Sequence, residues 1–263
     1  MTTPHRLRLS ANLKWLFTEL PFLDRFAAAA KAGFTAVEIA SPYDFSEHEL
    51  LGRLEDSGLQ AVLINTPSIP NTLGSNGIAC HPDKLPLFRE QTENAIQYAN
   101  ALGAKLIHLM AGIRPPGVAM DTACATYLEN VAWAAQLAES AGVTLLLEAV
   151  NRRDVPDFFL GTLEDGLQVI EEVGSPHVRL LFDVYHCQVT QGDVTRRFDK
   201  LLPQIAHVQV ADVPLRSEPG TGELRYDFIF DHIRNSGYAG WIGCEYRPLK
   251  GTELGLSWRA MLD

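Results

Sequence analysis

Asn12, Glu38, Asn65, His108, Glu148, Asp183, Gln209 and Glu245 each close a short apolar run of this chain. A carboxylate at the end of one such run is ordinarily a hydrogen-bonded structural group or a helix cap. A set of them is harder to accommodate, because burying Glu148, Asp183 and Glu245 together is very unfavourable unless a cation neutralises them. With the amide oxygen of Gln209 they form a set of hard oxygen donors, which favours Mg²⁺ or Mn²⁺ over zinc. Gln209 can ligate only through its carbonyl oxygen, so its NH₂ then needs an acceptor close by. The alternative for Gln209 is a buried, hydrogen-bonded amide within the run HVQVAD.

Other residues stand around this set. His186 follows Asp183 by three positions, so strand alternation does not place both on one face, and His186 is expected to begin a loop and lean over a pocket. His108, in LIHLMAG, reads as a group that hydrogen-bonds inside the same mouth. Arg216, in VPLRSEPGTGE, is either a planar bidentate clamp for a substrate carboxylate or a solvated partner of Glu218. Trp15 and Phe17 form either an apolar wall that excludes water or ordinary packing. The PGTGE stretch lacks the GK[ST] ending of a phosphate loop and reads as a flexible segment beside the pocket. Cys187 and Cys244 read as buried, inert thiols that point away from the site. His5, His48, His81, His177 and His232 show no ligand spacing.

The elements that must position these groups repeat along the chain. An amphipathic stretch, a small residue with Gly, then a short apolar run recurs at Gly33, Gly58, Gly103, Gly142, Gly174 and Gly237. Gly after a helix closes its last carbonyls, and a brief apolar run fits a parallel strand covered on both faces. With RLRLSANL at the start and AHVQVAD at 206–212, eight strands result. Helical stretches such as PFLDRFAAAAKA, KLPLFREQTENAIQYANA, TYLENVAWAAQLAESA and LEDGLQVIEEV lie between them. This order predicts an α/β fold, a (β/α)₈ TIM barrel in a single domain over residues 1–263. A doubly wound open sheet would carry a Gly-rich turn after its first strand, and SANLKWLF has none. The stretch from about 66 to 83, rich in Pro, Asn, Gly and Ser, is expected to be a strand-to-helix loop over the pocket.

Composition narrows the partners. The 22 basic against 32 acidic residues leave a net charge of −10, which argues against nucleic acid or an anionic membrane as partner. No apolar run approaches the ~20 residues of a bilayer span, and the opening MTTPHRLRLSANL lacks the apolar core of a secretory signal. Four cysteines, far apart and without CxxC, suit the reducing cytoplasm. Self-association into a homo-oligomer is left open.

The segments FTELPFLDRFAAAAKAGFTAVE, LIHLMAG, LLLEAVNRRDVPDFFL, LLFDVYHCQ, AHVQVAD, EPGTGELRYDFIF and GYAGWIGCEYRP resemble the hydroxypyruvate isomerase family. That family belongs to the xylose isomerase-like TIM barrels and is related to the ketose 3-epimerases. The resemblance covers nearly the whole chain and implies a divalent metal at Glu148, Asp183, Gln209 and Glu245. It further implies that Glu148 and Glu245 exchange protons with substrate, and that His186, Arg216 and Asp154 contact it. Gln209 departs from the epimerase pattern, which has a ligating His there as the second His of HxH. The implied activity is a carbohydrate-metabolic isomerisation of hydroxypyruvate, a small hydroxy-keto acid, to 2-hydroxy-3-oxopropanoate through a metal-stabilised enediolate. The alternatives are a 2-oxo-tetronate isomerase, a ketose 3-epimerase, and a non-catalytic barrel that binds a small molecule. The last is disfavoured by two proton-exchanging carboxylates that binding alone does not need.

Overall fold

In the computed structural model, which describes residues 6–262, the strands are β1 (Arg8–Asn12), β2 (Ala36–Ile39), β3 (Gln60–Asn65), β4 (Leu106–His108), β5 (Thr144–Glu148), β6 (Val178–Asp183), β7 (Ile205–Val210) and β8 (Trp241–Cys244). Of the histidines named above, His5 lies outside the described residues. The helices are α1 (Arg25–Lys31), α2 (Glu47–Ser57), α3 (Leu85–Leu102), α4 (Met120–Ala141), α5 (Leu163–Val173), α6 (Val184–Thr190), α7 (Val194–Leu201) and α8 (Tyr226–Asn235). The strands pair in sequence order, and β8 pairs in parallel with β1 to close a barrel. This is the TIM barrel that the repeating sequence pattern predicts. Among the described residues no helix is long and apolar enough to cross a membrane.

Local signals set the element ends. Ser46 caps α2 by accepting the Glu49 N–H, and Thr162 with Asp165 forms a reciprocal capping box on α5. Helices α2 to α5 each end on a left-handed glycine, as the small-residue–Gly pattern requires. The expectation for strand six is corrected. The strand stops at Asp183 and the chain enters α6 at once, so His186 sits on a helix and not on a loop. The cause is the Asp183 carboxylate, whose Oδ1 accepts the N–H of Tyr185 at 2.7 Å and of His186 at 3.2 Å, nucleating the turn.

Strand alternation sorts the barrel interior into layers. Ala36, Leu146 and Leu181 precede Glu38, Glu148 and Asp183 by two residues and belong to a small apolar cluster distinct from the larger core. The polar layer therefore rests on a dry floor at the C-terminal ends of the strands. The pairings Asn12 with Glu38, Asp183 with Gln209, and Gln209 with Gly243 hold that layer level across the barrel. Gly243 is needed there, because a Cβ on it would lie 1.9 Å from Glu38 Oε1.

Candidate active site

The polar layer is organised by Glu38, which is fully buried. Its Oε1 accepts Ser10 Oγ at 2.9 Å and His207 Nε2 at 2.8 Å, and its Oε2 accepts Asn12 Nδ2 at 2.9 Å and Gln209 Nε2 at 2.8 Å. Burial pushes the Glu38 pKa upward, but the adjacent His207 and these hydrogen bonds outweigh it and hold the carboxyl below its ordinary range. Glu38 is thus the acceptor that the Gln209 amide needs. It turns Gln209 Oε1 away from itself, and that oxygen is buried without a hydrogen-bond partner. Replacing Glu38 with Ala leaves four polar neighbours unpaired in a closed space. We expect a loss of roughly 3–5 kcal/mol in stability, read as a lower midpoint in urea unfolding.

Above Glu38 lies a cavity of about 450 Å³ lined by His108, Glu148, His186, Gln209, Arg216 and Glu245, with Asp154, Trp15 and Asn76 on its walls. Each sequence-derived site residue therefore lines one pocket, except Asp183, which sits just beneath it. Glu148, Asp183 and His186 bring ligand-capable atoms within 4.8 Å of one another, a buried group that can hold a metal ion. Glu148 Oε1 and Asp183 Oδ2, like Gln209 Oε1, are buried without hydrogen-bond partners. Three unpaired oxygens from β5, β6 and β7 are the donor set a hard cation takes. Asp183 serves twice: Oδ1 starts α6 while Oδ2 lies toward Arg216 and His186.

Arg216 is the cation within this acidic cluster. Its Nη2 lies 3.4 Å from Glu245 Oε1 and 3.6 Å from Asp183 Oδ2, so the expected alternative of a solvated Arg paired with Glu218 does not occur. Glu218 instead accepts the Leu249 N–H at 2.9 Å. The guanidinium lies over the rings of Trp15 at 4.7 Å and Tyr185 at 5.2 Å. Burial raises the pKa of Glu148, and Glu245 and Asp183 raise it further. Burial pushes Glu245 up to about 7 against the pull of Arg216. Asp183 is likewise raised by burial, partly offset by Arg216.

His186 and His108 are neutral. Burial, with Arg216 second, holds His186 well below its ordinary range, and burial with His186 brings His108 down to about 3. His186 Nδ1 accepts the backbone N–H of Asn151 at 3.2 Å and lies 2.7 Å from Asn151 Nδ2, so its proton resides on Nε2. Nε2 lies 3.7 Å from Asp183 Oδ2 and 3.9 Å from Glu148 Oε1, where it is a donor to the pocket. The carboxylates, with lone pairs free, are better placed than His186 to ligate. His108 Nε2 is 3.6 Å from Glu148 Oε2.

The remaining residues divide less cleanly between pocket and core. Trp15 lines the pocket, but its indole Nε1 also donates to Glu245 Oε1 at 2.8 Å, a polar task an apolar wall does not include. Phe17 is core, packed edge-on against Phe34. Asp154 Oδ2 accepts Tyr185 Oη at 2.7 Å and Asn151 Nδ2 at 3.2 Å, which makes it a brace for Asn151 as well as a wall residue. Nothing in its sequence context distinguishes Asn151. The signal for His207 was its two-residue spacing from Gln209, which puts both on one strand face. Cys187 and Cys244 are buried, and burial pushes each thiol up to about 12. His81, His177 and His232 bond Ile113 O, Val143 O and Asp199.

Such a site, at the C-terminal mouth of a closed parallel barrel, defines an enzyme of the TIM-barrel type. Residues 26–260 match the family model described as xylose isomerase-like TIM barrel. A 2-oxo-tetronate isomerase of Cupriavidus necator is 44% identical, over 95% of this chain and 96% of its own. A hydroxypyruvate isomerase of Escherichia coli is 42% identical over 96% of this chain and 98% of its own. A crystal structure from Brucella melitensis, described as AP endonuclease, family 2, is 38% identical with a TM-score of 0.93, covering 97% of this chain and 98% of that one. The chain belongs to the xylose isomerase-like TIM barrel family, within its hydroxypyruvate isomerase group, and is an enzyme of the isomerase class.

Proposed function

We propose that the chain interconverts hydroxypyruvate and 2-hydroxy-3-oxopropanoate, with Glu148 and Glu245 moving the proton. The observation that carries this reading is that two carboxyls of one pocket, Glu148 and Glu245, have pKa values raised by burial, with the Arg216 guanidinium 3.4 Å from Glu245. A proton leaves the carbon bearing the hydroxyl and the C–H electron pair forms the enediolate; the hydroxyl proton passes to the former carbonyl oxygen, and a proton returns to the former carbonyl carbon. A carboxyl poised near neutrality can serve as base in one half and acid in the other. Trp15 holds Glu245 by its Oε1, fixing the direction from which it reaches the substrate. His186, protonated on Nε2, donates to a substrate oxygen, and His108 and Asp154 complete the wall. Arg216 grips the substrate carboxylate, its planar fork held between two aromatic rings.

Glu148, Asp183, Gln209 and Glu245 would hold Mg²⁺ or Mn²⁺, which supplies Lewis-acid polarisation of the substrate oxygens. The unpaired oxygens of three of these residues support that assignment. We place the reaction in the cytoplasm, on a small anionic substrate and without a nucleic-acid or membrane partner. A second reading, a 2-oxo-tetronate isomerase, is favoured by the pocket, since about 450 Å³ leaves room beyond three carbons and Asn65 and Asn76 line it.

The test compares hydroxypyruvate, 2-oxo-tetronates and free ketoses as kcat/KM, in the wild type and in Arg216→Ala. The acid with the highest ratio is the substrate, and a free ketose in that place ends the reading. Arg216→Ala should raise KM about tenfold or more for the acids alone. An unchanged KM for hydroxypyruvate would refute the carboxylate grip.

A further inference from the structure

We propose that Asp212 is the positioning residue for Arg216: its buried carboxylate folds the segment 213–224 into the shape that delivers the guanidinium to the pocket. The proposal rests on the reading of Arg216 given above. Asp212 lies just beyond β7 and is fully buried, and among the described residues it forms no ion pair. Its acceptor capacity goes instead to four backbone amides. Oδ1 accepts the N–H of Val213 at 2.9 Å and of Leu224 at 3.1 Å, while Oδ2 accepts those of Gly220 and Gly222, each at 2.9 Å. A carboxylate offers about four acceptor sites, so these amides saturate it with charge-assisted bonds.

The donors come from both ends of the segment, so one side chain ties the loop shut. Two backbone bonds reinforce the closure: Asp212 N–H to Ser217 O at 2.7 Å and Glu223 N–H to Val213 O at 2.9 Å. Gly222 is required for it, because a Cβ there would stand 2.0 Å from Val213 O and 2.7 Å from Asp212 Oδ1. The PGTGE stretch that reads as flexible in the sequence is therefore an anchored loop. Arg216, within the tied segment, adopts a left-handed backbone with φ of 55°, which a non-glycine residue holds only when its surroundings impose it. Its carbonyl accepts the Arg247 N–H at 2.8 Å, and its side chain turns between Trp15 and Tyr185 toward Glu245 and Asp183.

Asp212→Asn keeps the volume but sets an NH₂ against two amide donors. Trypsin cleavage after Arg216 should then run at least about tenfold faster than in the wild type, in a variant whose circular dichroism stays native. KM for hydroxypyruvate should rise about tenfold or more, with kcat within about threefold. A merely structural role would lower the active fraction, so kcat would fall at unchanged KM. Gly222→Ala retains the carboxylate but drives a Cβ against Val213 O and Asp212 Oδ1, and it should give the same pattern should Asp212→Asn not fold. Wild-type resistance to trypsin in either folded variant overturns the proposal. Faster cleavage at an unchanged KM overturns it through its premise, the grip of Arg216, which Arg216→Ala measures separately.

Discussion

Glu245→Gln is expected to lower kcat by about 10²- to 10⁴-fold while leaving the barrel folded. The substitution is nearly isosteric, and the new amide oxygen can still accept the Trp15 indole N–H that Glu245 Oε1 now takes at 2.8 Å. Packing and position are preserved, and the group that can take up a proton is removed. Removing one negative charge from beside Glu148 and Asp183 also relieves repulsion, so the melting temperature should stay level or rise. The two readouts separate chemistry from folding, since a damaged scaffold would lower both. A variant that retains more than half of the wild-type rate would remove Glu245 from the proton transfer.

Exhaustive chelation should abolish turnover, and either Mg²⁺ or Mn²⁺ should restore it. Glu148, Asp183 and Glu245 face one guanidinium, that of Arg216; burial raises the pKa of each, and repulsion from the neighbouring carboxylates adds to it at Glu148 and Glu245. A divalent cation would relieve that repulsion and engage the unpaired oxygens of Glu148, Asp183 and Gln209. Binding to the folded state alone also stabilises it, so the melting temperature should climb with metal concentration, independently of any assay of turnover. Full activity in a sample verified to be metal-free would show that protein groups stabilise the enediolate unaided. No thermal shift with either ion would remove the metal from the site.

Much of this architecture was legible in the chain. Apolar runs of strand length, six of the eight preceded by a helical stretch and a glycine, are governed by backbone periodicity, and they specified a barrel. Because the strands are parallel, the polar residue at each run's end falls on the same rim, which is why the sequence alone groups Glu148, Asp183, Gln209 and Glu245. The need of the Gln209 amide for an acceptor was likewise readable from valence alone. Its acceptor, Glu38, was visible as a polar strand end but not as the centre of a network, because its partner His207 lies 169 residues away.

The tertiary structure decided which atom of each residue faces the pocket. Asp183 divides its oxygens between a helix start and the site, a choice fixed by where β6 ends. The same helix start placed His186 on α6 in place of the expected loop, and Asn151, beyond β5, fixed its proton on Nε2. Arg216 had a charged neighbour in sequence, Glu218, yet pairs with Asp183 and Glu245, because the loop tied by Asp212 turns it inward. Local periodicity depends on neighbouring residues and is written along the chain. The pairing of polar groups depends on barrel closure, which brings distant strand ends within hydrogen-bond reach and selects among donors and acceptors by geometry.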